Sequence, residues 1–97
     1  MSEKKAAYDS HLKTLREAGA IGVDYDDLGY TRTYTLTKFG ESYRFTVFWN
    51  VIKCRIGKVE IIADGVSLTG AYLNQYKLNL HLLRGDKVVA VIPVEKF

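Results

Sequence analysis

The first hydrophobic residues of the chain recur at the spacing of a helix. The apolar stripe consists of Tyr8, Leu12, Leu15 and Ala18, with His11 beside it. Glu3 suits the positive N-terminal end of a helix, and Gly19 is a natural position for its end. The pattern predicts an amphipathic helix over Glu3–Ala18. Such a short helix needs a partner surface to be stable, and the rest of the chain has to provide it.

After Gly19 the pattern changes to the alternation that is typical of strands. A short strand is predicted over Ala20–Tyr25, followed by the loop DYDDLG. Three hairpin turns are then predicted, at FGES (39–42), at Asp64-Gly65 and at LRGDK (83–87). A helix followed by antiparallel strands predicts one α+β domain over residues 1–97. We expect one N-terminal helix packed on a curled antiparallel sheet of five to seven strands.

The segment YTLTKFGESYRFTVFW separates into two faces when it is paired about a Gly40-Glu41 turn. Tyr34 then lies opposite Val47, Leu36 opposite Phe45, and Lys38 opposite Tyr43. The apolar face consists of Tyr34, Leu36, Tyr43, Phe45, Val47 and Trp49, and we assign it to the core. The other face carries threonines with Arg44 and Phe48, and a one-residue slip would mix the two sets. The rings are therefore predicted to be buried rather than to form a stacking platform for bases.

The same reasoning applies to the last hairpin, with Arg84-Gly85-Asp86 taken as a three-residue loop. The predicted core side pairs Tyr76, Leu78, Leu80 and Leu82 with Val94, Ile92, Ala90 and Val88. Val89 and Val91 then form an apolar patch on the outer face. Pro93 cannot donate to a ladder, which indicates that the strand over 88–94 lies at an edge of the sheet or ends there. The patch is either covered by a chain terminus or a contact site, for example in a homodimer.

Basic residues alternate with apolar ones in VIKCRI. Ile52, Cys54 and Ile56 are predicted to point inward, and Lys53 and Arg55 outward. Trp49 and Lys53 share parity but belong on opposite faces, so a break or bulge is expected near Asn50. The resulting basic stripe consists of Arg44, Lys53 and Arg55, with Lys58 and Phe48 nearby. It is either a solvated face or a surface that recognises a phosphate backbone or an acidic protein.

The composition limits the kinds of functional site that the chain can form. The chain has 97 residues, a net charge of +3, two histidines and one cysteine, which is too few ligands for a usual zinc site. Asp24, Asp26 and Asp27 lack a cation-binding loop pattern, so no metal or cofactor is predicted. No nucleophile, zinc-protease or phosphate-loop motif occurs, and we expect a protein that is not an enzyme. No signal peptide or membrane-spanning run is seen, and a cytoplasmic location is expected.

These observations favour a small non-catalytic binding protein that docks on a macromolecular partner, another protein most of all. Inhibitors and adaptors, including phage proteins aimed at host machinery, have this general character. The predicted partner-binding residues are Arg44, Phe48, Lys53, Arg55, Val89 and Val91. One alternative is nucleic-acid binding through the basic stripe. A second is a small ligand in the concave face of the sheet, lined by Tyr34 and Trp49.

Overall fold

The structure, a computed structural model, describes residues 3–25, 31–70 and 76–96. These residues form one helix and eight strands, so the fold is mostly β with a helix and roughly α+β. The elements are α1 (Glu3–Glu17), β1 (Ile21–Tyr25), β2 (Thr31–Lys38), β3 (Glu41–Phe48), β4 (Val51–Ile56), β5 (Val59–Ala63), β6 (Gly65–Gly70), β7 (Tyr76–Arg84) and β8 (Lys87–Lys96). The strands outnumber the five to seven that were expected.

The strands form two antiparallel sheets rather than one. The first has the order β1-β2-β3-β4-β5 and the second the order β6-β7-β8, so within each sheet every strand pairs with its neighbours along the chain. The prediction of a single curled sheet was therefore wrong. The division falls between β5 and β6, where the chain changes sheets without reversing.

The last residue of helix α1 is Glu17, and Gly19 lies just beyond it as the predicted stop. Gly19 has a φ of +98°, a conformation that favours glycine. Its N–H donates to the Arg16 carbonyl, and the Ala20 N–H donates to the Leu15 carbonyl, both at 3.0 Å. This pair of bonds is the Schellman motif, which satisfies carbonyls that the helix leaves unpaired. Arg16 also donates from Nη1 to the Tyr34 hydroxyl at 3.0 Å, which ties the end of the helix to β2.

The core combines one face of the helix with the inner faces of both sheets. The helix stripe is buried as predicted, including His11. The inner face of the first hairpin is also buried, except that Trp49 is half-buried. Fully buried side chains come from all three units: Leu15, Tyr34, Leu36, Phe45, Val47, Ile52, Cys54, Leu80, Leu82 and Ile92. Burial of these apolar surfaces is the main stabilising contribution to the fold.

The first hairpin has the predicted faces but a different register. Its turn is Phe39-Gly40, with φ of 52° and 81°, and not Gly40-Glu41. Tyr34 consequently lies opposite Phe45, Leu36 opposite Tyr43, and Lys38 opposite Glu41. The pairing differs from the predicted one by two residues. Because side chains alternate with a period of two, this shift leaves every residue on its expected face.

Two further hairpins were not predicted. Trp49-Asn50 connects β3 to β4, with Phe48 opposite Val51, and Gly57-Lys58 connects β4 to β5. The break expected near Asn50 is thus a full reversal of the chain. It resolves the parity conflict between Trp49 and Lys53, because Trp49 leaves the strand.

Asp64-Gly65 is a corner and not a hairpin turn, so that prediction was wrong. The Asp64 N–H donates to the Leu83 carbonyl at 2.8 Å, and the Asp64 carboxylate accepts the Gly85 N–H at 3.0 and 3.1 Å. Arg84 donates to the Ile62 carbonyl from Nε at 3.2 Å and from Nη2 at 2.7 Å. These bonds hold the β7–β8 turn against the end of β5. The chain therefore bends from one sheet into the other, as strands do at the corners of packed sheets.

The last hairpin has a two-residue turn, Gly85-Asp86, instead of a three-residue loop. Leu80 lies opposite Ile92 and Leu82 opposite Ala90, and the register shifts between Leu82 and Leu83. Val88, which was predicted to be in the core, is consequently 45 % exposed. Strand β8 is an edge strand, as Pro93 indicated. The side chain of Tyr76 lies outside the described residues.

Candidate functional site

The candidate site is the outer face of the β3–β4 hairpin. Three cross-strand pairs lie there: Arg44 opposite Arg55, Thr46 opposite Lys53, and Phe48 opposite Val51. We call these six residues the β3–β4 outer face. The alternation of β3 and β4 sends their neighbours into the core, so these side chains point away from it. Four of the six predicted partner-binding residues are brought together in this way.

Each cross-strand pair forms one row of the face, and the neighbouring strands widen the first two rows. Thr35 on β2 lies beside Arg44, and Glu60 on β5 lies beside Arg55. Ile62 lies beside Lys53 and is 42 % exposed. The first row is therefore basic with one acid, and apolar surface is added at the β5 side of the second row.

Like charges face each other in the first row. Arg44 and Arg55 are directly opposite across the two strands, an arrangement that destabilises a sheet. Glu60 offsets it weakly, because its Oε2 lies 3.9 Å from Arg55 Nη2 and both side chains are largely exposed. The side chains of Arg44 and Lys53 make no hydrogen bond or ion pair within the described part of the chain. Positive charge on this face is thus only partly neutralised.

Two adjoining pockets cover the face. A pocket of ≈ 350 Å³ is lined by Arg44, Thr46, Lys53, Arg55 and Glu60. A second pocket, of ≈ 400 Å³, is lined by Thr31, Thr46, Phe48, Val51 and Lys53. Thr46 and Lys53 line both pockets. The face consequently has a basic end and an apolar end that share one row of side chains.

The apolar end connects to the helix through a series of rings. Phe48 is 47 % exposed, and its ring centroid lies 6.2 Å from that of Trp49. The Trp49 ring in turn meets the buried Tyr8 ring edge-on at 6.0 Å. Trp49 is the single tryptophan of the chain, so its fluorescence is a natural reporter of changes at Phe48.

The other two predicted partner-binding residues lie on β8 in the second sheet and line neither of these pockets. Val91 is 53 % exposed, as expected of an outer-face residue. Val89 is half-buried and packs against the core, so the predicted pair of exposed valines was wrong for Val89. Register shifts on both sides of Ala90–Pro93, together with the proline itself, are features that hinder the pairing of edge strands.

Two titratable side chains of the interior, Cys54 and His11, have pKa values that burial shifts. Burial raises the pKa of the Cys54 thiol to about 11, so the thiol remains protonated at neutral pH. Burial lowers the pKa of His11, an effect that the nearby Asp64 carboxylate opposes. The Nε2 atom of His11 is buried without a hydrogen-bond partner.

Asp26, Asp27 and the side chain of Asp24 lie outside the described residues. Residues 3–25, 31–70 and 76–96 contain no cluster of three or more His, Cys, Asp or Glu side chains that could hold a metal ion. The helix that the structure describes is too short and too polar to cross a membrane. Tyr34 is only 1 % exposed, a position that does not favour the hypothesis of a small ligand bound beside it.

Comparisons with protein-family models, curated proteins and solved structures found no match for this chain.

Sequence reasoning missed Val51, Ile62 and the sharing of Thr46 between the two pockets. Val51 belongs to the face because Trp49-Asn50 is a tight turn, and Ile62 lies beside the face because Gly57-Lys58 is another. The glycine at 57 was a usable signal for the second turn. Trp49 gave no such signal, because a bulky residue is rare at positive φ.

Proposed function

We propose that this protein is a small non-catalytic binding protein, of the inhibitor or adaptor type, that docks through its β3–β4 outer face on an acidic surface of another protein. The observation that carries the proposal is the Arg44–Arg55 pair, with Lys53 in the next row and Phe48 beyond it. Like charges held opposite each other cost stability in the free protein, and an acidic partner relieves that cost.

The apolar residues of the face favour a protein as the partner. Platforms for single-stranded nucleic acid combine several exposed rings with a basic groove. Phe48 is the one aromatic side chain on the β3–β4 outer face; the apolar residue opposite it, Val51, is aliphatic, as is Ile62 at the edge of the face beside Lys53. An exposed apolar end that adjoins a charged end suits a protein interface, because such interfaces combine an apolar core with a polar rim.

The test is capture of the partner from an extract of the native host, followed by mass spectrometry. The wild type is compared with Arg44→Glu/Arg55→Glu and with the matched control Lys87→Glu/Lys96→Glu, which makes the same change in net charge on β8. We expect the first variant to lose the partner and the control to retain it, with both folded by circular dichroism. Capture that survives Arg44→Glu/Arg55→Glu contradicts the proposal.

Nucleic-acid binding is the second candidate, because three cations line or adjoin one pocket of ≈ 350 Å³. It predicts an affinity that falls steeply as salt rises, since binding releases counterions. Electrophoretic shift of duplex and single-stranded probes at two salt concentrations tests it. Absence of a shift at low salt rules this candidate out.

A further inference from the structure

The three rows of the β3–β4 outer face run along the strand direction in a fixed order. Arg44 and Arg55 form the first row, Lys53 with Thr46 the second, and Phe48 with Val51 the third. Successive same-face residues of a strand are about 6.6–6.8 Å apart. The basic end and the apolar end are therefore separated by about 13 Å, and the two pockets meet at the middle row.

An extended chain repeats its own same-face side chains at this same spacing of about 6.6–6.8 Å. A helix repeats them at about 6.0 Å for residues four apart, so it falls progressively out of step with the rows. An extended segment laid along β3 and β4 can thus place one side chain on each row. Every second residue of that segment faces the sheet, and the residues between them face away.

The chemistry of each row specifies the side chain that fits it. Two guanidinium groups are suited to a carboxylate, which accepts paired hydrogen bonds from such planar donors. The Lys53 ammonium is a second cationic site, and the Thr46 hydroxyl beside it can donate a further hydrogen bond. Phe48 and Val51 are suited to an aliphatic or aromatic side chain.

We infer that the β3–β4 outer face recognises an extended acidic segment of its partner, with the pattern acid-x-acid-x-apolar along one face. The first acid binds Arg44 and Arg55, the second binds Lys53, and the apolar side chain packs on Phe48 and Val51. The inference rests on the proposed function and names the chemistry of the partner. The direction in which the segment runs along β3 and β4 is tested in the same experiment as its composition.

The experiment uses short peptides with blocked termini, so that terminal charges do not contribute. The parent is Glu-Thr-Glu-Thr-Phe, compared with its reverse, with Gln-Thr-Gln-Thr-Phe and with Glu-Thr-Glu-Thr-Ser. None contains tryptophan, so binding is followed by Trp49 fluorescence and confirmed by calorimetry. We expect either the parent or its reverse to bind. Removal of the acids or of the ring should weaken the affinity of the peptide about tenfold or more.

Variants of the protein assign each contact. Arg44→Glu should abolish binding of the parent peptide, whereas Lys87→Glu should leave it unchanged. Phe48→Ser should remove the preference for Phe over Ser at the last position while it keeps the preference for Glu over Gln. A structural collapse of the site would remove both preferences, so this result separates a contact from a loss of folding.

The outcomes distinguish the inference from the proposed function. If neither direction of the parent binds, or if Gln-Thr-Gln-Thr-Phe binds as well as the parent, the inference is overturned. The proposed function still stands in that case if the captured partner depends on Arg44 and Arg55. If a ten-nucleotide single strand displaces the parent peptide and binds more tightly, the face recognises phosphate, and both the inference and the protein-docking proposal fail.

Discussion

Arg44 and Arg55 lie directly opposite each other on β3 and β4, and both side chains are exposed on the outer face of the five-stranded sheet. Replacing Arg44 by threonine removes this repulsion and places a residue with high strand propensity there. We expect Arg44→Thr to raise the free energy of unfolding by about 0.2–1 kcal/mol at low salt. The gain should shrink at about 1 M salt, where charges are screened over about 3 Å. Urea unfolding at both salt concentrations measures it.

Lys53→Thr is the matched control for this prediction, because Lys53 lies between Thr46 and Ile62 and faces no like charge. It makes the same change in charge and a similar change in strand propensity. An equal, salt-independent gain in both variants would mean that propensity, and not the Arg44–Arg55 repulsion, is responsible. A stabilised Arg44→Thr variant that no longer binds its partner would show that the charge pair serves docking at the expense of stability.

The corner at Asp64 depends on its carboxylate, which accepts the Gly85 N–H at 3.0 and 3.1 Å. Asp64→Ala leaves that N–H to water and releases the turn that joins β7 to β8. We expect the free energy of unfolding to fall by about 0.5–1.5 kcal/mol, the usual net contribution of one hydrogen bond. Amide hydrogen exchange should show the fastest gain at Gly85.

Asp86→Ala provides the comparison, since Asp86 is in the same turn and makes no hydrogen bond or ion pair within the described residues. It should change stability by less than about 0.5 kcal/mol, as exposed substitutions usually do. If the two variants are equally destabilised, the corner does not depend on the Asp64 carboxylate. This pair of variants also shows how Arg84-Gly85-Asp86 acts in this chain: its first two residues bind the end of β5 and the corner, and its third is exposed.

The faces of the strands could be predicted from the sequence, because burial depends on a period of two that is visible in the residues. The register could not, since a shift of two residues leaves Tyr34 and Phe45 on the same buried face. Turn chemistry was misleading where a distant contact decides the conformation. Asp64-Gly65 has the residues of a hairpin turn, yet the Asp64 carboxylate is bound by Gly85, which is far along the chain.

For the candidate site, the sequence likewise predicted which residues share a face but not which of them are neighbours. Arg44, Phe48, Lys53 and Arg55 share the outer face because of alternation alone. Which of them are neighbours depends on the Trp49-Asn50 turn, and that turn is stabilised by packing of Trp49 on Tyr8. A contact between residues that are so far apart in sequence has no local signal.

His11 makes the stability of the fold depend on pH. Burial is the larger cause of its lowered pKa, and the Asp64 carboxylate opposes it in part. The unfolded chain binds a proton near the ordinary pKa of 6.5, and the folded chain only at lower pH. Between these two values the unfolded state carries more protons, so stability rises with pH there. The contribution of His11 is fully present above the unfolded pKa and is lost as the pH falls through 6.5 towards the folded value.

Urea unfolding between pH 7.5 and 5 measures this slope, above the range in which most carboxylates titrate. His11→Leu should flatten the slope, because the unpartnered Nε2 and its protonation are both removed. His81→Gln, at the other histidine, checks that the slope belongs to His11. A wild-type slope that persists in His11→Leu would assign the pH dependence to another group.

Phe39 and Trp49 are turn residues with positive φ, and substitutions that relieve their backbone strain should change the free energy of unfolding in opposite directions. Phe39 has a φ of 52° and is 47 % exposed, and it is followed by Gly40 in a two-residue hairpin turn. Asparagine is favoured at this position, so Phe39→Asn should raise the free energy of unfolding by about 0.5–1 kcal/mol.

Trp49 has a φ of 53°, but its ring packs on Tyr8 at 6.0 Å. Trp49→Gly should therefore lower the free energy of unfolding by about 1–3 kcal/mol, because the lost packing exceeds the strain that is relieved. Thermal unfolding of the two variants beside the wild type measures both changes in stability. Stabilisation of both variants would show that the contact between Trp49 and Tyr8 contributes little to the stability of the fold.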